Sequence, residues 1–204
     1  QHDNLAALTA AIFRHAGSDD EEADTIARHL VEANLVGHDS HGVIRVPAYV
    51  QWVQEGKLLP NQKISVVFEN DSMAVLDGNF GFGQSIGEQA VDYGIEKCRK
   101  SGLSLVGLRN AGHVGRVGDW AIRAAAQGLV SLHFVNTSGG GILVAPFGGI
   151  ERRLSANPIA AGIPVAGGEP IIADLSTCVI AEGKIRVARN KGVPVPENAI
   201  LDSD

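Results

Sequence analysis

Residues 103–137 read LSLVGLRNAGHVGRVGDWAIRAAAQGLVSLHFVNT, two short apolar runs that flank a segment with helical periodicity. The runs "LSLVGLRN" and "LVSLHFVNT" are rich in leucine and valine and have the length of buried strands. The segment "VGDWAIRAAAQG" between them predicts a helix. The resulting strand-helix-strand order favours a mixed α/β fold over an all-helical or all-strand one.

The pattern continues on both sides of this stretch. Upstream, "KISVVFEND" and "SMAVLDGN" meet at Asn70-Asp71 and predict an antiparallel hairpin, and "QSIGEQAVDYGIEKCRKSG" predicts a helix. Downstream, "NPIAAGIPV" and "PIIADLS" predict strands, and "CVIAEGKIRVARNKG" predicts a final helix that starts near Ser176 and Thr177. We therefore expect residues 61–204 to form a mixed-sheet domain covered by helices.

The first 60 residues predict a helical section. The expected buried face of the first helix consists of Leu5, Leu8, Ile12 and Phe13. Ser18 with Glu21 is typical of a capping box that starts a second helix running to Gly37, and Pro47 suits the first turn of a third. The segment between the second and third helices is "HDSHGVIR", which we expect to be a short loop held at both ends.

Composition excludes several classes of function. The chain has 204 residues, a net charge of −6 and scattered lysines and arginines, so we expect neither a nucleic-acid nor a membrane partner, and favour a small molecule. Cys98 and Cys178 are far apart and form no CxxC motif, which indicates a reducing compartment. No apolar stretch has membrane-spanning length and no basic region precedes the first apolar segment, so we expect a soluble, unexported, cytoplasmic protein.

The "HDSHGVIR" loop, residues 38–45, is the first candidate site. Histidine can give or take a proton near neutral pH, and arginine suits a carboxylate, so His41 and Arg45 predict an acid/base site beside a carboxylate-binding group. His38, Asp39 and His41 could instead hold a zinc ion. Ser40 as a nucleophile would lack the GxSxG elbow. A purely structural role, with His38 and Asp39 as helix caps, is the remaining alternative.

Four other stretches are weaker signals. "NAGHVG" carries His113 towards a helix start, where a phosphate or carboxylate is favoured. "LDGNFGFGQSIG" misses the dinucleotide-binding glycine spacing by one residue, so we interpret it as a turn. The glycines 139–141 and Asn157 could approach a ligand or simply form a loop, and Asp174 could be a helix cap.

Together these stretches resemble the malate/L-lactate dehydrogenase family of NAD(P)-dependent oxidoreductases, which also includes sulfolactate, ureidoglycolate and diketogulonate dehydrogenases and cyclic imino-acid reductases. The resemblance follows the chain in order: "GHDSHGVIRVPAYVQWVQEGKL", "NAGHVGRVGDWA", "VAPFGG", "ANPIAAGIPV" and "IIADLSTCVIAEGKI". It implies a three-layer, largely antiparallel mixed sheet that is not a Rossmann fold, preceded by the helical section. It also implies a homodimer that uses NAD or NADP.

The resemblance assigns roles to individual residues. His41 matches a proton donor, Ser40 its orienting neighbour, and Arg45 a group on the substrate carboxylate. His113 matches a histidine that is the acid/base in some members and lines the dinucleotide in others, and the sequence does not choose between the two histidines. The remaining implied residues are Lys184 for catalysis, Asn157 for substrate binding, and Gly115, Ser138, Asp174, Leu175 and Ser176 for the cofactor.

The expected reaction is hydride transfer between NAD(P) and C2 of a small 2-hydroxy or 2-oxo acid. Lys184 stands where the imino-acid reductases have an acid, which favours a 2-hydroxy acid. Arg109 and Arg116 are candidates to pair with the 2′-phosphate of NADP. A metal-dependent hydrolase that uses His38, Asp39 and His41 is the alternative, and a catalytically silent homologue is a third. Because family chains continue well beyond "VPVPENAILDSD", we expect these residues to be an incomplete enzyme.

Overall fold

The computed structural model describes residues 1–137 and 141–201. The chain divides into two compact units, Gln1–Arg116 and Val117–Asp204, which are described in turn. Residue 60, the predicted domain boundary, lies between the last helix of the helical section and the first strand. A domain boundary at this position stays a prediction. Within the described ranges, no helix is both long and apolar enough to span a membrane.

Three helices make up the N-terminal part of the first unit. They are α1 (His2–His15), α2 (Asp20–Leu35) and α3 (Val46–Gln54). Their shared core includes the fully buried side chains Phe13, Ile26, Leu30, Tyr49 and Phe82. Pro47 lies in the first turn of α3, where its missing N–H leaves no bond unmade, as the sequence predicts.

The predicted buried face of α1 is wrong in part. Phe13 is buried, but Leu5, Leu8 and Ile12 are 36%, 58% and 36% exposed. The buried residues of the helix are Phe13 with the small Thr9 and Ala10, which let α1 lie close to α2. Several different helical stripes fit the periodicity of this apolar helix, so spacing alone chose the wrong one.

The start of α2 lies one residue later than the predicted capping box. Asp19 is the N-cap, and its carboxylate accepts the Glu22 N–H at 2.8 Å. Ser18 instead donates its hydroxyl hydrogen to the buried Glu22 carboxylate at 2.7 Å. The predicted pairing of Ser18 with Glu21 is therefore replaced by a pairing with Glu22, because the helix begins at Asp20.

A three-stranded sheet and a long helix complete the first unit. The strands are β1 (Ser65–Glu69), β2 (Met73–Asp77) and β3 (Leu105–Arg109), in the order β1-β2-β3. β1 and β2 form the predicted antiparallel hairpin, while β3 lies parallel to β2 with Asp77 opposite Arg109. The helix α4 (Gly83–Ser101) contacts β2 and β3. The turn that follows β3 carries His113.

The second unit contains another three-stranded sheet. Its elements are α5 (Gly118–Ala126), β4 (Ser131–Phe134), β5 (Ile159–Ile163), β6 (Ile171–Leu175) and α6 (Glu182–Lys191). All of its strand pairings are antiparallel, and α5 packs on the sheet. Over the described residues the fold is thus mixed α/β with largely antiparallel pairing, which confirms the predicted class.

The last helix differs from its prediction. It begins at Glu182, six residues beyond the predicted start at Ser176, since residues 176–181 form bends and loop. Thr177 is held outside any helix because both its N–H and its hydroxyl donate to the Ala156 carbonyl. Lys184 therefore lies in the first turn of α6 rather than two turns in.

Candidate active site

The "HDSHGVIR" segment forms two short 3₁₀ helices, Asp39–His41 and Val43–Arg45, joined at Gly42. Asn34, in the last turn of α2, holds both of them. Its side-chain oxygen accepts the Val43 N–H at 2.9 Å, and its amide nitrogen donates to the Asp39 carboxylate at 2.7 Å. The Asp39 carboxylate is thus hydrogen-bonded to α2 through the Asn34 side chain.

Gly42 is a glycine because of a neighbour and not because of its backbone angles. Its φ of −86° is open to any residue. However, a Cβ atom at this position would lie 2.1 Å from the Asn34 side-chain oxygen. The close approach of Gly42 to Asn34 therefore fixes the path of the turn that carries the candidate side chains.

Three predicted site residues lie together on this turn. Ser40 is buried, and its hydroxyl lies 2.9 Å from His41 Nδ1. Arg45 donates from Nε to the Ser40 carbonyl oxygen at 2.7 Å. These contacts orient the His41 ring and bring the Arg45 guanidinium to the same turn.

The structure brings His113 onto this group from a distant part of the sequence. Its ring stacks on His41 with centroids 5.3 Å apart and an interplanar angle of 27°. The His113 turn is pinned from behind by Gly83, where a Cβ would lie 2.3 Å from the His113 carbonyl oxygen. Gly83 belongs to the glycine-rich "LDGNFGFG" segment, which is confirmed as a turn and packs against the His113 turn.

Asp77 anchors the start of the His113 turn. Its carboxylate accepts hydrogen bonds from Asn79 N–H, Arg109 and Asn110, each at 2.9 Å. The Asn79 N–H, followed by Arg109 and Asn110, holds the pKa of Asp77 below its usual value. Arg109, one candidate for the NADP 2′-phosphate, is therefore engaged by Asp77.

The environment of His113 disfavours a charged ring. Burial, then the nearby charges of Arg45 and His41, lower its pKa well below the ordinary value of 6.5. His113 is accordingly uncharged at neutral pH. A positive charge on His113 would be repelled by Arg45 and by a charged His41 ring.

Tyr49 and Gln84 belong to the site although the sequence did not indicate them as site residues. The Tyr49 hydroxyl lies 2.6 Å from His113 Nδ1, and Gln84 donates to that hydroxyl at 3.0 Å. Burial raises the pKa of Tyr49 to about 12, so the hydroxyl keeps its proton. On sequence, Tyr49 fits the apolar face of α3, and nothing in the pattern marks Gln84. Asn34 carried a weak signal, as an amide just before a glycine-containing turn.

Gly115 also belongs to the His113 group. It adopts a φ of +70° and donates its N–H to His113 Nδ1 at 3.3 Å. A Cβ at Gly115 would lie 3.2 Å from the Gln84 amide nitrogen, in addition to the strained backbone. The first unit therefore brings together Ser40, His41, Arg45, His113 and Gly115 among the predicted residues.

The other predicted residues belong to the second unit. Asp174, near the end of β6, accepts the Gly118 N–H at 2.9 Å and so caps α5 from a neighbouring strand. The first amide of this helix, predicted to favour a phosphate, is thus already bonded. Leu175 and Ser176 follow and are exposed, and the Ser176 hydroxyl donates to the Cys178 carbonyl oxygen at 2.9 Å.

Asn157 lies beside this strand end. It has a φ of +36°, and its side-chain oxygen accepts the Thr137 N–H at 3.5 Å. Ile159 pairs with Leu175, so the start of β5 and the end of β6 adjoin. Lys184 is exposed in α6. Ser138 lies outside the described residues.

The arrangement does not support the metal alternative. Across 1–137 and 141–201, no group of three His, Cys, Asp or Glu side chains could hold a metal ion. Asp39 is bonded to the Asn34 amide, and the rings of His38 and His41 meet edge to face, with centroids 4.9 Å apart. What the turn does offer is an imidazole pair and a guanidinium, the groups needed for proton transfer beside a carboxylate.

The fold and the site define a non-Rossmann α/β protein in which two stacked imidazoles lie close to an arginine on a helix-connecting turn. Comparison with known proteins agrees. The family described as malate/L-lactate dehydrogenase matches residues 1–204. The chain belongs to this family.

Individual relatives support the same assignment. The chain is 42% identical over 198 residues to hydroxycarboxylate dehydrogenase B of Escherichia coli strain K12, which covers 97% of the chain and 55% of the relative. It is 38% identical over 201 residues to malate dehydrogenase of Pyrococcus abyssi, covering 98% and 54%. A solved structure described as a putative malate/lactate dehydrogenase from E. coli matches with a TM-score of 0.94 at 42% identity, covering 99% and 56%. The chain thus spans about half the length of these relatives.

Proposed function

We propose that the whole protein is an NAD(P)-dependent oxidoreductase that interconverts a small 2-hydroxy acid and the corresponding 2-oxo acid. The observation that carries this proposal is the stack of His113 on His41, with centroids 5.3 Å apart, where His41 lies on the turn that also holds Arg45. The names of the relatives, a hydroxycarboxylate and a malate dehydrogenase, support the same substrate class.

Arg45 is proposed to hold the substrate carboxylate. Its Nε is bonded to the Ser40 carbonyl, which fixes the plane of the guanidinium. A fixed guanidinium can bind a carboxylate through two parallel hydrogen bonds, and this orients C2 of the substrate as well as binding it. Asn157 stays a prediction as a second substrate contact.

His41 is proposed as the proton donor in reduction and the acceptor in oxidation. Ser40 engages Nδ1 of its ring at 2.9 Å and so fixes the orientation of the imidazole on this turn. Negative charge develops on the C2 oxygen during reduction, and a protonated imidazole there neutralises it and delivers the proton. The lowered pKa of His113 argues against that ring as the donor.

The second unit offers groups that suit a dinucleotide. Asp174 and Ser176 provide a carboxylate and a hydroxyl, which can bond ribose hydroxyls, and the exposed Leu175 between them provides an apolar surface for a ring. When bound, the nicotinamide cofactor supplies or accepts the hydride. Gly115 and Ser138 stay predictions as further cofactor contacts. Arg116 stays a candidate for the 2′-phosphate of NADP.

Several finer expectations stay predictions. These are the homodimeric state, the cytoplasmic location, the identity of the acid, the choice between NAD and NADP, and a catalytic role for Lys184. Lys184 is exposed in the first turn of α6.

The test is a nicotinamide absorbance assay on the whole protein with malate, lactate, sulfolactate, ureidoglycolate and cyclic imines, each with both cofactors. We expect turnover of at least one 2-hydroxy acid. His41→Ala should then lower kcat by about 10²-fold or more, while His2→Ala, at an exposed position, should not change it. No absorbance change with any substrate would refute the proposal. Unchanged kcat in His41→Ala would instead refute the role of His41.

A further inference from the structure

Three donors converge on one side of His113. The Tyr49 hydroxyl lies 2.6 Å from His113 Nδ1, and the Gly115 backbone N–H points at the same atom from 3.3 Å. Behind them, the Gln84 amide nitrogen donates to the Tyr49 oxygen at 3.0 Å. Tyr49 and Gln84 are each only 1% exposed, so water does not substitute for these contacts.

The hydrogen positions in this network of Gln84, Tyr49, His113 and Gly115 follow from which groups can donate and which can accept a hydrogen bond. A backbone N–H can only donate, so His113 Nδ1 must accept and carries no proton. The single hydrogen of Tyr49 therefore points at Nδ1, and the Tyr49 oxygen accepts from Gln84. A neutral imidazole has one N–H, which must then be on Nε2.

The opposite direction is less favourable. It would place an N–H on Nδ1 against the Gly115 N–H, and it would make Tyr49 donate to Gln84. The Gln84 amide would then be turned, and its NH₂ group would occupy the buried position where its oxygen now has no partner. A buried donor without a partner is rarer than a carbonyl oxygen without one.

We propose that Tyr49 and Gln84 are positioning residues that hold His113 as the neutral tautomer with its proton on Nε2, so that His113 donates a hydrogen bond to the reacting oxygen while His41 moves the proton. This rests on the proposed function for its catalytic part only. A neutral imidazole N–H can polarise a carbonyl and stabilise the oxyanion that develops on it. The nearby Arg45 charge and the stacked His41 ring both favour an uncharged His113.

The tautomer can be read directly by ¹⁵N NMR of the protein labelled in its histidines. The sequence has seven histidines, and loss of one ring's signals in His113→Gln assigns His113. We expect Nε2 of His113 to show the shift of a protonated nitrogen and Nδ1 that of an unprotonated one between about pH 6 and 8. A proton on Nδ1 in the unmodified protein would overturn the inference without any variant.

Tyr49→Phe should change both the spectrum and the kinetics. Without the hydroxyl, only the longer Gly115 contact of 3.3 Å still opposes a proton on Nδ1, so the Nδ1-protonated tautomer should become populated beside the Nε2 one. We expect kcat to fall about 10-fold with little change in KM, as expected for one lost hydrogen bond of about 1.4 kcal/mol. The protein has two tyrosines, and Tyr93→Phe is the matched control because the Tyr93 hydroxyl bonds the Glu69 carboxylate at an exposed site. Tyr93→Phe should leave the His113 spectrum and kcat unchanged. An unaltered His113 spectrum in Tyr49→Phe would overturn the inference.

Gln84→Glu is a second variant that keeps the side-chain shape and serves if Tyr49→Phe does not fold. A carboxylate cannot donate, so Tyr49 should turn its hydrogen towards it and accept from His113 instead. We expect the Nδ1-protonated form of His113 to gain population, although the longer Gly115 contact still opposes it, and an unchanged His113 spectrum would contradict the inference. Because these spectra need no substrate, they distinguish a wrong tautomer from a protein that has no dehydrogenase activity.

Discussion

Replacement of Gly42 by alanine should destabilise the protein through one specific contact. The added Cβ would lie 2.1 Å from the Asn34 side-chain oxygen, so the Asn34 amide must move away. Its two hydrogen bonds, from Val43 N–H and to Asp39, are then lost. Each bond contributes about 0.5–1.5 kcal/mol, and a donor left unpaired costs more, so we expect a loss of about 2–3 kcal/mol in the free energy of unfolding.

A double-mutant cycle isolates this contact. Asn34→Ala removes the same two hydrogen bonds and the three atoms nearest to the added Cβ, so it should cost about 2 kcal/mol alone. Gly42→Ala added to Asn34→Ala should then cost almost nothing, which gives a coupling energy of about 2 kcal/mol between the two positions. Strictly additive losses would refute the argument.

Urea unfolding followed by circular dichroism measures these differences. Gly107→Ala is the matched control, since a Cβ at Gly107 in β3 would meet its nearest atoms at 4.0 Å. It should change the free energy of unfolding by less than about 0.5 kcal/mol. Gly42→Ala should also lower kcat, because the displaced turn carries Ser40, His41 and Arg45. A loss below about 0.5 kcal/mol for Gly42→Ala would show that the turn relaxes at no cost.

Two further predictions concern carboxylates that accept hydrogen bonds from backbone N–H groups, Glu22 and Asp174. Burial raises the pKa of Glu22 above 4.5, so the folded protein keeps this proton to higher pH than the unfolded chain does, and the stability it contributes is lost as pH rises through the raised value. Glu22→Gln should therefore reduce the fall in unfolding free energy with rising pH above about pH 4.5. Glu21→Gln, at an exposed position, is the control and should leave this pH dependence as it is in the unmodified protein. The same pH dependence in Glu22→Gln and the unmodified protein would contradict the effect of burial on Glu22. Asp174→Ala should cost about 0.5–2 kcal/mol in urea unfolding, because the carboxylate caps α5 at Gly118, and Asp174→Asn should cost less because its amide oxygen still accepts. Equal losses for Asp174→Ala and Asp174→Asn would show that charge, and not the hydrogen bond, stabilises this contact.

Much of the fold follows from short-range patterns. The Asn70-Asp71 turn predicted the β1–β2 hairpin, and Pro47 predicted the start of α3, because both depend on backbone chemistry over a few residues. The buried face of α1 depends on which neighbour covers it. The start of α6 depends on Thr177, which is held by the carbonyl of Ala156 in the loop before β5. Neither contact can be predicted from hydrophobic periodicity, because both partners are distant in the sequence.

The residues of the candidate site likewise include some that the sequence predicted and some that depend on distant contacts. Ser40, His41 and Arg45 are close in sequence, so their types and spacing predicted a shared turn. The contact between His41 and His113 was not predicted, since the family resemblance offered the two rings only as alternatives for the acid/base role, and Tyr49 and Gln84 were missed. Their side chains meet because α3, α4 and the turn after β3 converge, and only the packing of glycines such as Gly83 against that turn makes room for them.

The two histidines differ in what their partners can accept, and this decides which of them can carry charge. Both rings are bonded at Nδ1. The Ser40 hydroxyl beside His41 can accept a hydrogen bond, and it therefore remains a partner when Nδ1 of His41 is protonated. The Gly115 N–H beside His113 cannot accept, so a charged His113 would set two N–H groups against each other. The proposed division into a proton carrier and a neutral donor is thus supported by a hydroxyl at one ring and a backbone amide at the other.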